Sequence, residues 1–249
     1  FMLDEPWKGS LGVEEARKII EKYKEQVKAL REREADLRPG CELFKLDPPV
    51  YKEISSVETD LGLLDQIWKL EEEWEMMWSN WRTGPFKDLE VASMGSTAGA
   101  MASSVIALGI KNWEVADNLS KKIQTFRKTM PLIQNLKEPA IKERHWTTLK
   151  STLGTENFDP YSDSFTLKTI FDMKFNEYAD DIATIAMIAK KEFEVEQGLD
   201  EINGRWADLH FEITQHKSTN SNSNQVNYKA VNTDVIFETI EQDQTVLSG

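Results

Sequence analysis

Residues 132–146 read LIQNLKEPAIKERHW and contain the end of one predicted helix and the start of the next. Pro139 follows an amphipathic segment that must end near it, because proline lacks a backbone N–H and clashes with the preceding helical turn. The residues after Pro139 return to a helical composition, and proline is favoured in the first turn of a helix. The stretch therefore predicts two consecutive helices, over residues 112–136 and 140–153, and Gly154 ends the second.

A second proline lies inside the first of these helices. Pro131 removes one backbone donor, so a kink or a break is expected near Thr129. The apolar residues of this helix have a spacing that predicts one buried face. They are Leu119, Ile123, Phe126, Met130 and Ile133.

The longest predicted element is a helix that covers residues 175–209. At a rise of about 1.5 Å per residue it is a rod of roughly 50 Å. Its apolar stripe contains Tyr178, Ile182, Ile185, Ala189, Phe193, Leu199, Ile202, Trp206 and Leu209. After it the periodicity changes to two, which predicts a β-hairpin over residues 209–231 with a half-buried face and a polar tip. A short helix follows.

Three further helices are predicted upstream. The first covers residues 13–37, with Ser10 as its N-cap and Pro39-Gly40 as its end. The second covers residues 56–82, and the third covers residues 88–109. The sequence thus predicts a mainly α fold, an elongated bundle of long helices with one small β-hairpin near the C-terminus.

The second helix carries a concentration of tryptophan. Trp68, Trp74, Trp78 and Trp81 lie within fourteen residues and are half of the eight tryptophans in the chain. Core packing is the first interpretation. A partner-binding surface is the alternative, because tryptophan is enriched at the centres of protein interfaces.

Composition excludes several classes of function. The net charge of −13 argues against nucleic-acid binding and against docking on an anionic membrane. Residues 112–152 reverse the sign, with eight basic side chains against four acidic ones. Cys41 is the single cysteine, which favours a reducing compartment. Neither end carries a recognisable terminal signal, and we expect the chain to be an excerpt of something longer.

No catalytic, cofactor or metal site is predicted. The three histidines lack a second ligand at helical spacing, so His145 is interpreted as a core or interface residue. Residues 71–73 are consecutive glutamates that fan around the helix and do not converge on one ion. A small-molecule enzyme would need polar residues that converge in a pocket, and the sequence nominates none.

A family resemblance becomes visible in residues 130–146, MPLIQNLKEPAIKERHW. This run is similar to the tail-to-linker signature of dynein heavy chains, and Pro131, Pro139, Arg144, His145 and Trp146 are its motif residues. Further matching segments follow in the family's order: FD at 158–159, FTL at 165–167, AKKE at 189–192, LDEINGRW at 199–206 and TDVI at 233–236. Trp206 belongs to the fourth of them. The residues of this motif are more similar to those of axonemal heavy chains than to those of the cytoplasmic transport form.

The resemblance implies a motor subunit whose ATPase ring lies C-terminal to this segment. Residues 1–110 would be a tail-end helical bundle and residues 111–249 the start of the linker, the arm that transmits force. No catalytic or nucleotide-binding residue of the family falls in this chain, so ATP and Mg²⁺ are expected only in the full-length motor. The implied partners are the rest of the heavy chain with its ring, other heavy, intermediate or light chains, and the microtubule of a ciliary or flagellar axoneme.

A force-bearing arm needs stiff helices and a few positions that bend. The hinge candidates are therefore the helix breaks at Gly84, Pro85 and Gly154, together with Pro131 and Pro139. Ordinary helix ends within a rigid bundle are the alternative for each break. A generic α-helical scaffold that docks other proteins is the alternative for the whole segment.

Overall fold

The structure is a computed structural model that describes residues 4–47, 49–154, 158–216 and 227–248. It is 75% helical, which confirms the mainly α fold. The α-helices of the described residues are α1 (Val13–Leu43), α2 (Lys52–Thr83), α3 (Val91–Ala107), α4 (Glu114–Leu136), α5 (Glu143–Leu153), α6 (Leu167–Asp172), α7 (Ala179–Ala207) and α8 (Asp234–Ser248). Short 3-10 helices precede α3 and α7 at Phe86–Asp88 and Phe175–Tyr178. The helix predicted over residues 175–209 is thus α-helical only over α7. The prediction that it is the longest element is wrong, because α7 has 29 residues whereas α1 has 31 and α2 has 32. None of the described helices combines the length and the apolar character that crossing a membrane requires.

The chain divides into two compact units. Unit 1 comprises the described residues of 1–137 and 146–183, and unit 2 comprises those of 138–145 and 184–249. Helices α3 and α4 lie on either side of position 110 and pack together in unit 1. The division at 110/111 into a tail end and a linker is a functional one and stays a prediction.

Unit 1 is built from helix pairs. Helix α1 packs on α2, α3 packs on α4, and α2 also contacts α4 and α6. The predicted apolar face of α4 is confirmed, because Leu119, Ile123 and Ile133 are fully buried and Phe126 and Met130 nearly so. Thr166 caps α6 through a capping box with Thr169, which fixes where this short helix begins.

The four tryptophans of α2 differ in how deeply they are buried. Trp68 and Trp74 are each 2% exposed, which confirms the core interpretation for these two. The indole N–H of Trp68 donates to the Pro6 carbonyl over 2.8 Å, and this bond ties the N-terminal segment to α2. Trp78 and Trp81 are only half-buried.

Unit 2 contains most of α7, the hairpin and α8. Strands β1 (Glu212–His216) and β2 (Asn227–Val231) are antiparallel, with Ile213 opposite Ala230. The hairpin is confirmed, and its predicted tip at 217–224 lies outside the described residues. The expected half-buried face is wrong, because Phe211 and Ile213 are each 63% exposed. Alternation alone does not supply a neighbour to cover the face.

Two predicted positions at the ends of α1 are wrong. The N-cap is Gly12 and not Ser10, and the helix continues through Pro39 to Leu43. The chain leaves the helix where Lys45 adopts a left-handed conformation with a φ of 52°. A left-handed residue that follows a helix lets its last carbonyls accept hydrogen bonds, and here Cys41 O accepts from the Leu46 N–H over 2.8 Å.

Helix α4 is assigned as one continuous helix, so the break alternative near Thr129 is wrong. Pro131 is exposed, while its neighbours Met130, Leu132 and Ile133 are buried. Burial on both sides of the proline offsets the loss of a single backbone hydrogen bond. Whether the helix is kinked there stays a prediction.

Candidate functional site

The charged part of the predicted motif binds the start of α5 to the middle of α7 in unit 2. Arg144 donates from Nε to Glu192 Oε2 over 2.7 Å and from Nη2 to Glu196 Oε1 over 2.8 Å. Lys142 forms a further ion pair with Glu196. Glu192 and Glu196 share one face of α7 because residues four apart are neighbours on a helix. We call Lys142, Arg144, His145, Glu192 and Glu196 the charge cluster.

His145 is the buried member of the charge cluster, and both of its ring nitrogens form hydrogen bonds. It is 5% exposed, its Nδ1 accepts from the Lys142 backbone N–H over 2.9 Å, and its Nε2 lies 3.1 Å from Glu192 Oε2. A neutral imidazole that accepts at Nδ1 carries its proton at Nε2, so His145 donates to Glu192. This geometry fits the prediction of a buried histidine. Across the described ranges, no group of three or more His, Cys, Asp or Glu side chains is placed to hold a metal ion.

The carboxylates of the cluster are held in their charged form. The hydrogen bond from Arg144 lowers the pKa of Glu192, and the hydrogen bonds from Lys142 and then Arg144 lower the pKa of Glu196. Both side chains remain partly exposed, at 42% and 35%, so solvent screens the ion pairs. The cluster therefore orients the two helices and adds modestly to stability.

The next motif residue, Trp146, belongs to the aromatic core of unit 1. It is 5% exposed, and its ring centroid lies 6.0 Å from Phe165 and 6.3 Å from Phe158 in edge-to-face arrangements. Phe158 and Phe165 stack on each other at 5.3 Å, and Phe175 contacts both. Such pairs stabilise beyond the burial of their area. The motif tryptophan is thus a core residue.

Trp206 forms a separate polar contact in unit 2. Its indole N–H donates to Asp243 Oδ2 over 2.7 Å, and the neighbouring Arg205 pairs with the other oxygen of the same carboxylate. Asp243 is 5% exposed, and the two donors compensate the charge of its buried carboxylate. This contact joins α7 to α8.

The segment that contains these residues matches a known family. The family model described as dynein heavy chain, N-terminal region 2, matches residues 54–249. The chain belongs to the dynein heavy chain family. The resemblance noted in residues 130–146 is thereby confirmed.

Two dynein heavy chain relatives align along the whole of this segment, and others align along most of it. It is 31% identical over 250 residues to the dynein-1-beta heavy chain of the flagellar inner arm I1 complex from Chlamydomonas reinhardtii, and the alignment covers 100% of this chain. It is also 31% identical over 252 residues to dynein axonemal heavy chain 2 from Mus musculus, again over 100% of this chain. The ciliary dynein beta chain of Tripneustes gratilla is 23% identical over 92% of this chain. The chain spans 5%, 6% and 5% of the length of these three relatives.

The motif prolines of this dynein segment lie in different settings. Pro139 is the second residue of a turn in which the Ile141 N–H donates to the Glu138 carbonyl over 2.9 Å. Its predicted place in the first turn of α5 is wrong, because α5 begins at Glu143. Proline is equally suited to the second position of a turn, where its fixed φ is required. Pro131 is the exposed residue inside α4 described above.

The hinge candidates are helix ends with local backbone contacts. The Gly84 N–H donates to Asn80 O over 2.9 Å, and Pro85 pairs as an isolated bridge with Thr166. Gly154 ends α5 with a φ of +66°, a conformation that glycine adopts without strain. Bending at any of these positions stays a prediction.

The sequence analysis did not predict the acidic residues of the charge cluster or of the Trp206 contact. Glu192 and Glu196 have a visible signal, since two carboxylates four residues apart on a predicted helix share a face. Asp243 has none, because it lies 37 residues from Trp206 in a short helix whose packing the pattern does not define. Only the fold brings these partners together.

Proposed function

We propose that this chain is the non-catalytic, force-transmitting tail-and-linker segment of an axonemal dynein heavy chain. The observation that carries the proposal is the match of residues 54–249 to the N-terminal region of dynein heavy chains, with axonemal, flagellar and ciliary relatives. The segment's own residues then act as a mechanical element. ATP and Mg²⁺ would be used by modules elsewhere in the full-length protein.

The arrangement of the helices supports a mechanical role. Helix α7 has 29 residues and is therefore about 43 Å long, and α4 has 23. In unit 2 the charge cluster fixes the start of α5 against α7, and Asp243 fixes α8 against its end. A long helix that is held at several points along its length resists bending, because each contact removes a position where its hydrogen bonds can open.

The implied context is that of a microtubule motor in the axoneme of a cilium or flagellum. The partners are the rest of the heavy chain with its ATPase ring, other heavy, intermediate or light chains, and the microtubule through the complete motor. In this arrangement the segment neither binds nor hydrolyses nucleotide. It passes the displacement produced by the ring towards the tail.

A scaffold that docks other proteins is the second candidate. The observation that favours it is an aromatic groove in unit 1, lined by Trp74, Trp78, Phe126 and Phe171. A tail segment can carry force and also bind a partner, so the groove adds a binding role without removing the mechanical one.

The test changes the charge cluster in the complete heavy chain. Arg144→Glu places like charges against Glu192 and Glu196 and releases the start of α5 from α7. We expect microtubule gliding to slow while ATP turnover by the motor stays unchanged. The ATPase ring is intact in this variant, but the segment transmits less of its displacement. Gliding velocity and steady-state ATPase activity are measured on the same preparation.

The matched control is Arg33→Glu, an exposed position of α1 outside the cluster, which should leave both measurements unchanged. Hydrogen exchange across α5 and α7 verifies that the cluster has opened in the Arg144→Glu motor. Unchanged gliding with an opened cluster would contradict the proposal. ATP hydrolysis by the 249-residue chain alone would contradict the non-catalytic role.

A further inference from the structure

Unit 1 contains a groove to which the proposed force-transmitting role assigns no function. It has a volume of about 780 Å³, and it lies against α2, α4 and α6 and the N-terminal segment at Gly9. The volume is comparable to the roughly 300–1,000 Å³ of small-molecule sites, so the groove is large enough to receive several side chains of a partner.

The floor of the groove is aromatic. The Trp78 ring lies 5.6 Å from Phe126 and 5.7 Å from Phe171, measured between centroids. Trp74 and Phe126 are buried beneath, whereas Trp78 and Phe171 are half-buried and present part of their rings to the groove. A concave surface of half-exposed aromatic rings offers apolar area that a partner can still bury.

The rim of the groove is basic on the α4 side. Lys121 and Lys122 line it, and Lys122 is already paired with Glu71 and Glu75. Lys121 is exposed and has no ion pair within the described residues. Lys128 is also exposed and without an ion pair in that part of the chain, and it lies beside the groove rather than among its lining residues. The two lie seven residues apart, so they share a face of α4 and are about 10 Å apart along its axis.

This basic rim stands out against the charge of the molecule. The chain as a whole carries −13, whereas α4 carries four basic residues between positions 121 and 128 and no acidic one there. Within a screening length of about 8 Å, these cations favour acidic groups of a partner on the α4 side of the groove, while Glu75 lines the α2 side.

We propose that the groove docks an acidic amphipathic helix of a partner protein. The apolar side chains of such a helix, at positions i, i+3 or i+4 and i+7, would cover Trp78 and Phe171. Two carboxylates seven residues apart on the partner would match the spacing of Lys121 and Lys128. This inference does not depend on the proposed motor role, because it uses only the walls and charges of unit 1.

The probe is a synthetic amphipathic peptide of about 18 residues, or five helical turns, with leucine and phenylalanine on one face and two glutamates seven residues apart at its edge. Binding to the 249-residue chain is measured by isothermal titration calorimetry. Two comparison peptides are used, one with both glutamates replaced by lysine and one with the same composition scrambled. We expect micromolar affinity for the acidic peptide, about tenfold weaker affinity for the lysine peptide, and none for the scrambled one.

The variant that tests the rim is Lys121→Glu/Lys128→Glu. Both residues are exposed, so the fold should be retained, and the order of preference between the acidic and the lysine peptides should reverse. The matched control is Lys18→Glu/Arg33→Glu, two exposed cations of α1 away from the groove, which should leave the preference unchanged. Trp78→Ala should weaken both peptides, since it removes the floor.

Three results of the peptide measurements would overturn the inference. They are the absence of acidic-peptide binding, equal binding of the scrambled peptide, and a preference that the rim reversal does not change. Binding of phosphatidylserine vesicles without peptide binding, abolished by the same rim reversal, would assign the groove to a membrane surface and would also overturn it.

Discussion

The two units of this chain are stabilised in different ways. Of the 35 buried apolar residues in the described chain, only four lie in unit 2, although that unit includes more than a quarter of the sequence. Three of the four are alanines (Ala140, Ala186 and Ala189), and the fourth is Ile236. Unit 1 holds the remainder, including every buried phenylalanine and tryptophan.

Unit 2 relies on polar contacts instead. Its helices are joined by the charge cluster and by Asp243, while large apolar side chains such as Phe211, Tyr228 and Phe237 are 61–70% exposed. Burial of one large apolar side chain contributes about 1.5–3 kcal/mol, whereas an exposed ion pair contributes about 0–1 kcal/mol. Unit 1 therefore supplies most of the stability, whereas unit 2 should open first and should respond to salt and pH.

The largest expected effect on stability comes from a substitution in the aromatic core of unit 1. Trp146→Ala should lower the free energy of unfolding by about 3–5 kcal/mol, because it leaves a large cavity beside Phe158 and Phe165. Chemical denaturation followed by circular dichroism measures the loss. Tyr161→Ala, at a position 54% exposed, is the control and should change little. A loss below about 1 kcal/mol for Trp146→Ala would show that Trp146 is not a core residue.

The second prediction tests the strongest polar contact of unit 2. Asp243→Ala leaves the Trp206 indole N–H and Arg205 without their acceptor, at an expected cost of about 1–3 kcal/mol. Asp243→Asn should cost less, since an amide oxygen still accepts from Trp206. Hydrogen exchange read separately over α7 and α8 gives the local opening free energy. Equal exchange in the wild type and Asp243→Ala would mean that this contact does not hold α8.

A pair of glycine substitutions compares the packing of the two units directly. A Cβ at Gly9 would lie 2.0 Å from Asn118 Nδ2 and 3.2 Å from the Glu114 carbonyl oxygen, whereas a Cβ at Gly198 meets nothing within 4 Å. Gly9→Ala should therefore destabilise by about 1 kcal/mol, because Asn118 can rotate away but the carbonyl cannot. Gly198→Ala should stabilise by about 0.5–1 kcal/mol, since alanine favours a helix interior. Thermal melts of both variants that shift in the same direction would contradict the difference in packing.

The smallest expected effect is the pH dependence of the charge cluster. The pKa values of Glu192 and Glu196 are lowered in the folded state from an ordinary value of 4.5. Their contribution to stability is therefore complete above pH 4.5 and is lost as the pH falls through the lower folded-state values. The difference in melting temperature between the wild type and Glu192→Gln/Glu196→Gln should shrink as the pH falls from 6 towards 3.

Two checks accompany this pH series. Glu194→Gln, at an exposed position of α7 outside the cluster, should show no such convergence. Added salt at about 1 M should reduce the same difference at neutral pH, because it shortens the screening length to about 3 Å. A difference that grows on acidification would reverse the sign of the linkage and refute the role given to the cluster.

Periodicity was the most informative part of the sequence. It predicted the helices, the buried face of α4 and the hairpin, because the spacing of apolar residues follows directly from 3.6 residues per helical turn and two per strand repeat. Proline was less informative. Both Pro39 and Pro131 lie inside helices. The buried neighbours Met130, Leu132 and Ile133 maintain the helix across the hydrogen bond that Pro131 removes, whereas the residues around Pro39 are exposed.

The helical architecture could be predicted from the amino-acid sequence, and so, through residues 130–146, could the family. This is possible because helix propensity, periodicity and a motif are local properties of the chain. Only the tertiary structure decided which charges meet, how Arg144 is paired while Trp146 is buried, and where half-exposed rings form a groove. Those features depend on residues about 40–100 positions apart, such as Arg144 with Glu192 and Trp78 with Phe171, and on burial that no single segment can provide.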